Sequence, residues 1–233
     1  MNLPNKLTVV RLIMVPIFMA VMLVPIFVPF QNASVDMYLN LAGVVIFILA
    51  AVTDFLDGKI ARKNNLVTDF GKFLDPLADK FMVIGAMLCI FLANCMEEVG
   101  SKPLAILFFA ALVVVIFREL AVTSIRLVAS SSKGVVIAAN FLGKFKTVTQ
   151  IVAVCAAIIE PILWRFLITI FSMEAKFLLA FPPITFIATI LSIYLTIHSG
   201  LNYIVGAWKY LDPEKEKIYD LPDVARLFLF ILS

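Results

Sequence analysis

Long apolar stretches separated by short polar segments run along almost the whole chain. A helix needs about 20 mostly apolar residues to cross a bilayer, and six stretches reach that length. The predicted spans cover approximately residues 7–29, 38–57, 75–95, 103–127, 145–170 and 177–207. Pro16, Pro25 and Pro29 are expected to kink or end the first span, and Glu160-Pro161 is expected to interrupt the fifth. The pattern therefore predicts an all-α, polytopic membrane protein with six transmembrane helices.

Composition supports this interpretation and excludes an ordinary soluble domain. Hydrophobic residues make up 63% of the 233 residues and charged residues 15%, whereas soluble domains are about 45–50% apolar. We expect residues 1–210 to form one membrane domain. Residues 211–233 are expected to form a cytoplasmic tail whose apolar end fits either an interfacial helix or a frayed terminus. The first apolar stretch lacks an A-x-A-like cleavage site, which favours a retained span.

The positive charges are distributed unevenly between the two sides of the predicted bundle. Six spans put both termini on one side, and every Lys and Arg except Lys102, Arg165 and Lys176 falls on that side. Because Lys and Arg accumulate in cytoplasmic loops, this side is predicted to be cytoplasmic. We therefore expect a multi-pass membrane protein with both termini in the cytosol.

Four aspartates lie in and beside the second and third spans. Asp54 and Asp57 are three residues apart, and Asp75 and Asp79 are four apart. On helices these spacings place each pair on one face, with Cβ atoms about 5–6 Å apart. Acids at membrane depth are costly and usually functional, and carboxylate oxygens suit hard cations such as Mg²⁺ or Mn²⁺. The spacing therefore predicts a metal site on the cytoplasmic side.

The segment between the acid pairs is predicted to be a loop that suits a phosphorylated ligand. Gly58 leaves room for a ligand against the backbone, Ala61 is small, and Arg62 can grip phosphate as a bidentate fork. Gly71 would allow close packing before Asp75. Two cations bridged by shared carboxylates could clamp the attacking and leaving oxygens of a diphosphate, leaving a fourth carboxylate as a base.

The alternative for each acid is an ion pair with a cation of the same segment, namely Lys59, Arg62, Lys72 or Lys80. One such pair would be ordinary. Four acids at these spacings, with glycine and arginine between them, disfavour that alternative.

The whole segment resembles the signature of the CDP-alcohol phosphotransferase family. It reads Asp54-x-x-Asp57-Gly58-x-x-Ala61-Arg62, then eight residues, then Gly71-x-x-x-Asp75-x-x-x-Asp79. The resemblance implies six transmembrane helices and usually a homodimer. It also implies transfer of a phosphatidyl or similar group from a CDP-linked donor to an alcohol, with release of CMP. No nucleic-acid partner is expected.

The resemblance also implies individual roles. Asp54, Asp57 and Asp75 would bind one divalent cation, Asp54, Asp75 and Asp79 a second, and Asp79 would also be the general base. The cofactor would thus be two Mg²⁺ or Mn²⁺ ions per active site. The residues expected to bind the CDP-linked donor are Asn5, Thr8, Arg11, Gly58, Ala61, Arg62, Thr68 and Gly71.

Two further motifs resemble the phosphatidylglycerophosphate synthases of that family. They begin at Arg118-Glu119 and at Leu142-Gly143-Lys144, and they imply transfer from CDP-diacylglycerol to sn-glycerol 3-phosphate. Cations near the cytoplasmic ends of the fourth and fifth spans would repel each other unless an anionic acceptor neutralised them. This argument predicts an acceptor-phosphate site at Arg118, Arg126, Lys144 and Lys146. The alternative is that these cations only follow the general excess of Lys and Arg on the cytoplasmic side and bind anionic lipid head groups.

Two other kinds of function would also use parts of this sequence pattern. Within the family, the acceptor could instead be inositol phosphate, serine or phosphatidylglycerol. Outside the family, an ion-coupled transporter would also use membrane carboxylates, but it predicts inverted repeats or broken helices in matching halves, and the sequence contains no such repeat.

Overall fold

The computed structural model describes residues 2–28, 33–63, 69–96, 101–133, 141–171 and 177–211. Within these ranges every regular element is an α-helix. The helices are α1 (Leu3–Phe27), α2 (Ala33–Lys63), α3 (Asp69–Met96), α4 (Lys102–Lys133), α5 (Phe141–Phe171), α6 (Phe177–Ala180) and α7 (Pro183–Leu211). Six stretches of the described chain, the last comprising α6 and α7, are long and apolar enough to cross a membrane. The all-α prediction with six spans is confirmed.

The prolines interrupt these helices less than the sequence suggested. α5 is continuous through Pro161, so the predicted interruption at Glu160-Pro161 is wrong. A proline removes only one backbone donor, and neighbouring helices in a membrane can satisfy the carbonyl that it frees. Pro16 and Pro25 lie inside α1, which ends at Phe27. The clear break instead separates α6 from α7, where Pro183 occupies the first turn of α7 and needs no amide donor.

The predicted loop between the acid pairs is mostly helix. α2 continues to Lys63, so Gly58, Ala61 and Arg62 lie on this helix, and α3 already begins at Asp69, before Gly71. The expectation of a loop was therefore wrong for these residues, because helical hydrogen bonding continues past the ends of both apolar spans. Thr68 lies outside the described residues.

The helices pack as one bundle around a shared apolar core. α1 packs against α2 and α3, α3 packs against α4, and both α4 and α5 pack against α7. The rings of Phe18 and Phe47 meet at 5.4 Å between centroids, and Phe108 is fully buried in the same core. A Cβ on Gly43 would lie 2.5 Å from Met22 Sδ, so the missing side chain allows α1 and α2 to approach closely.

A buried glutamate joins α5 to the start of α7. Glu160 is 3% exposed, and its carboxylate accepts hydrogen bonds from the backbone N–H groups of Ile184 (3.0 Å) and Thr185 (2.6 Å). The Thr185 hydroxyl (2.7 Å) and the Trp164 indole (3.1 Å) donate to the same carboxylate. Because the first N–H groups of a helix lack intrahelical partners, Glu160 serves as the cap that α7 needs.

Candidate active site

The N-terminal turns of α1 direct three polar side chains into the bundle. Asn5, Thr8 and Arg11 are three residues apart and therefore share one helix face. They are 7%, 1% and 0% exposed. The Thr8 hydroxyl donates to Asp75 Oδ1 at 2.6 Å, and Arg11 Nη1 lies 2.5 Å from Asp54 Oδ1. The first helix thus holds one aspartate of α2 and one of α3.

Three of the four predicted metal ligands lie within electrostatic range of one another at one end of the bundle, without forming a complete metal site. Asp54 comes from α2, and its carboxylate lies within electrostatic range of both Asp75 and Asp79 on α3. Asp79 Oδ1 is buried and has no hydrogen-bond partner. A buried carboxylate oxygen without a partner is costly, which is a reason to look for a ligand there. Asp57 lies on α2 one turn beyond Asp54, and its side chain is outside the described part of the structure.

The donor chemistry of this cluster fits a divalent cation. Its ligands are carboxylate oxygens, as hard cations prefer, and the free Oδ1 of Asp79 keeps its lone pairs available. Among the side chains that the structure describes, no three His, Cys, Asp or Glu residues are close enough together to complete a metal site. The metal ligands and their pairing therefore stay a prediction.

The direct contact of Thr8 and Arg11 with the acids was missed at the sequence level, where both were predicted to bind the donor. A signal was available, because a buried arginine in an apolar helix needs an anionic partner. The aspartates were the nearest acids in the neighbouring spans. Donor binding by this face of α1 stays a prediction, as it does for Gly58, Ala61 and Arg62.

A second charged cluster lies where α3, α4 and α5 meet. Glu119 Oε1 accepts hydrogen bonds from Arg118 Nη1 at 2.8 Å and from Lys146 Nζ. Lys80 Nζ lies 3.9 Å from Glu119 Oε2 and donates to the Thr123 hydroxyl at 2.9 Å. The side chains of Lys146, Arg118 and Glu119 are only 7%, 14% and 15% exposed. Three cations from three helices thus surround one carboxylate.

This cation cluster and the aspartate cluster border the same cavity. The cavity has a volume of about 20 Å³, enough for one water-sized group, which needs roughly 10–15 Å³. Its polar lining consists of Asp79, Lys80, Glu119, Lys146, Thr147 and Gln150. A carboxylate with a free oxygen therefore faces the same small space as two ammonium groups.

The four predicted acceptor residues do not all share this cluster. Arg118 and Lys146 do, whereas Arg126 is exposed and lies against Tyr203, with Nε 3.4 Å from the phenol oxygen and the guanidinium 5.8 Å from the ring centroid. The Lys144 side chain lies outside the described residues. Glu119 already pairs with two of these cations, Arg118 and Lys146. Their mutual repulsion is therefore reduced without any ligand, contrary to the expectation from the sequence.

Comparison with known proteins places the whole arrangement in a family. The sequence model of the CDP-alcohol phosphatidyltransferases matches residues 1–198. This chain belongs to the CDP-alcohol phosphatidyltransferase family. The match spans both charged clusters, from Asn5 on α1 to Lys146 on α5.

Similar proteins of this family include three bacterial relatives. Each is called CDP-diacylglycerol–glycerol-3-phosphate 3-phosphatidyltransferase. The Bacillus subtilis protein is 38% identical over 90% of this chain and 97% of its own length. The Wigglesworthia glossinidia brevipalpis protein is 35% identical over 78% and 90%, and the Escherichia coli K12 protein is 34% identical over 70% and 80%.

CDP-alcohol phosphatidyltransferases are transferases that generally depend on a divalent metal. This dependence agrees with the carboxylate chemistry of Asp54, Asp75 and Asp79.

Proposed function

We propose that this chain transfers the phosphatidyl group of CDP-diacylglycerol to sn-glycerol 3-phosphate, which gives phosphatidylglycerophosphate and CMP. The observation that carries the proposal is the shared cavity, where Asp79 with its free oxygen faces Lys80 and Lys146. Arg118 joins these cations through Glu119. A phosphorylated alcohol that acts as acceptor requires a base for its hydroxyl proton and, next to that base, cations that bind its phosphate. The names of the relatives support the same reaction.

The aspartates form the donor half of the site. Asp54, Asp57, Asp75 and Asp79 would hold two Mg²⁺ or Mn²⁺ ions, and such ions neutralise charge on diphosphate oxygens and on departing CMP. Thr8 keeps Asp75 in place, and Arg11 keeps Asp54 in place. The remaining donor contacts in this proposal come from Asn5, Gly58, Ala61, Arg62, Thr68 and Gly71.

Asp79 is the general base of the proposed reaction. Its Oδ1 takes the proton of the C1 hydroxyl of glycerol 3-phosphate. The hydroxyl oxygen then forms a bond to the β-phosphorus, which carries diacylglycerol, while the bond from that phosphorus to the oxygen of CMP breaks. The absence of a hydrogen-bond partner on Oδ1 leaves this atom free to accept the proton.

Arg118 and Lys146 bind the phosphate of the acceptor. With Lys80 they carry three positive charges against the one negative charge of Glu119, and an ionised Asp79 on the same cavity lowers the excess to one. A phosphate monoester carries about −1.5 to −2 at pH 7, so a cluster with net positive charge attracts it. Lys144 and Arg126 remain part of the proposed acceptor site, Arg126 at its periphery.

The site is proposed to face the cytosol of a bacterial cell. The excess of Lys and Arg on the side of the acids supports this orientation, with residues 1–210 as the membrane domain and residues 211–233 as a cytoplasmic tail. A homodimer in the inner membrane completes the proposal.

An acceptor panel tests this function. The purified protein is supplied with CDP-diacylglycerol, Mg²⁺ and one of glycerol 3-phosphate, inositol phosphate, serine or phosphatidylglycerol, and both CMP and the lipid product are measured. We expect rapid formation of phosphatidylglycerophosphate with glycerol 3-phosphate. Preference for another acceptor would assign a different member of the family, and absence of CMP with every acceptor would favour the transporter alternative.

A further inference from the structure

We infer that Glu119 is a positioning residue for the acceptor, which holds Lys146 and Arg118 in the arrangement that receives its phosphate. The inference rests on the proposed function, because it takes glycerol 3-phosphate as the acceptor. It assigns a role to an acid that neither the metal site nor the proton transfer uses.

The contacts of Glu119 are those of a bridge between helices. One oxygen, Oε1, accepts hydrogen bonds from Arg118 on its own helix and from Lys146 on α5, and Oε2 lies 3.9 Å from Lys80 on α3. Long cationic side chains lose much rotamer freedom when they bind a ligand. Because Glu119 has already ordered two of them, the entropic cost of gripping the phosphate falls.

Arg118 is also confined along its stem. A Cβ added to Gly200 of α7 would lie 3.0 Å from Arg118 Cγ, and one added to Gly143 of α5 would lie 4.0 Å from Arg118 Nη2. The arginine therefore passes between α5 and α7 with little space on the Gly200 side. Its Nε is buried without a hydrogen-bond partner, so the side chain keeps a donor that Glu119 does not use.

A bridging acid could act in two opposite ways. If Glu119 orders the cations, its loss separates them and weakens phosphate binding. If Glu119 merely competes with the phosphate for the same ammonium and guanidinium groups, its loss strengthens phosphate binding. The two roles therefore predict opposite changes in the KM for glycerol 3-phosphate.

The experiment compares Glu119→Gln with Glu119→Asp and with the matched control Glu160→Gln. Glu160 is a buried glutamate on α5 that caps α7. For Glu119→Gln we expect the KM for glycerol 3-phosphate to rise about tenfold, as for loss of one charge-assisted hydrogen bond. The KM for CDP-diacylglycerol should change less than twofold. Glu119→Asp should recover part of the affinity, and Glu160→Gln should leave both KM values unchanged.

Gly200→Ala provides an independent variant if Glu119→Gln does not fold. It displaces Arg118 through its stem while Glu119 stays intact, so it should raise the KM for glycerol 3-phosphate and spare that for the donor. A KM for glycerol 3-phosphate that is unchanged or lower in folded Glu119→Gln overturns the inference. If Glu119→Gln cannot be purified, a KM for glycerol 3-phosphate that is unchanged or lower in Gly200→Ala overturns the inference instead. Failure of the wild-type chain to use glycerol 3-phosphate would instead overturn the proposed function, and the wild type is measured first.

Discussion

At the scale of residues, the carboxylates of the aspartate cluster differ in their partners. Two of them contact a side chain of α1, and one has an oxygen without a hydrogen-bond partner. Asp54 and Asp75 each have a partner on α1, whereas Asp79 Oδ1 has none. A carboxylate that contacts a neighbouring side chain keeps a fixed position for a ligand. A carboxylate oxygen without a hydrogen-bond partner can accept a proton. This difference in partners agrees with the separate role that the proposal gives to Asp79.

Asp79→Asn is expected to abolish turnover and to spare donor binding. Asparagine keeps the shape of the side chain but cannot accept the proton, and loss of a general base costs about 10²–10⁴-fold in rate. Turnover and binding of CDP-diacylglycerol should be measured on the same preparation. Asp36→Asn, which changes a half-buried aspartate in the first turn of α2, is the control and should keep its activity. Near-normal turnover of Asp79→Asn would refute the assignment of the base.

Thr8→Val is expected to raise the concentration of Mg²⁺ needed for half-maximal activity. Valine has the shape of threonine but cannot donate the 2.6 Å hydrogen bond to Asp75. Hydrogen bonds to charged groups contribute about 1.5–3 kcal/mol, so a tenfold or larger shift is expected.

The measurement for Thr8→Val is activity after complete chelation followed by Mg²⁺ titration. Thr169→Val is the control, because that hydroxyl donates to the backbone carbonyl of Arg165 within α5. An identical Mg²⁺ curve for wild type and Thr8→Val would contradict the positioning role of Thr8. Full wild-type activity in excess chelator would contradict the metal site itself.

At the scale of elements, hydropathy predicted the spans well because lipid exposure requires long apolar runs. It failed where backbone hydrogen bonding decides the outcome, as at Pro161, where α5 continues, and at Gly58, which lies on α2. Asp54 and Asp57 lie on α2 and Asp75 and Asp79 lie on α3, so each pair is on one helix, as the argument from spacing requires. Whether each pair shares a helix face stays a prediction. The pairing of Glu119 with Lys146 was not predictable, because it depends on how α4 and α5 pack against each other.

Glu160→Ala is expected to lower thermal stability and to leave the KM values unchanged at a permissive temperature. The change removes the acceptor of two backbone N–H groups at the start of α7, and loss of a helix cap typically costs about 0.5–2 kcal/mol. Thermal unfolding in detergent measures the effect. Thr189→Val, a buried hydroxyl later in α7 that donates to the backbone carbonyl of Thr185, is the comparison and should shift Tm less. An unchanged Tm for Glu160→Ala would contradict the capping role.

At the scale of the whole molecule, the bundle of six spans has two different ends, because both charged clusters lie toward one of them. The aspartates and the cation cluster lie toward the end that holds the start of α1 and the end of α7, and Glu160 lies farther along α5 toward the other end. The two charged clusters therefore lie near the same end of the bundle.

The orientation of the bundle can be measured with reporters fused after Ser233. A fluorescent protein that matures only in the cytosol should be bright, and a phosphatase that folds only outside the cytosol should be inactive, because the positive charges favour a cytoplasmic C-terminus. A second pair of fusions after Lys176, between α5 and α6, should give the reverse pattern. A bright fluorescent fusion at Lys176 together with an active phosphatase at Ser233 would invert the proposed topology.

The two charged clusters are also separate along the chain. Every side chain seen to hold the aspartates, together with the aspartates themselves, lies between Asn5 and Asp79, whereas the side chains around Glu119 lie between Lys80 and Lys146. Under the proposed function, donor activation and acceptor choice would therefore be encoded by consecutive segments of one gene. Substitutions confined to α4 and α5 would then alter which alcohol is used while the helices proposed to activate the donor stay unchanged, so a new acceptor specificity would arise without rebuilding the catalyst.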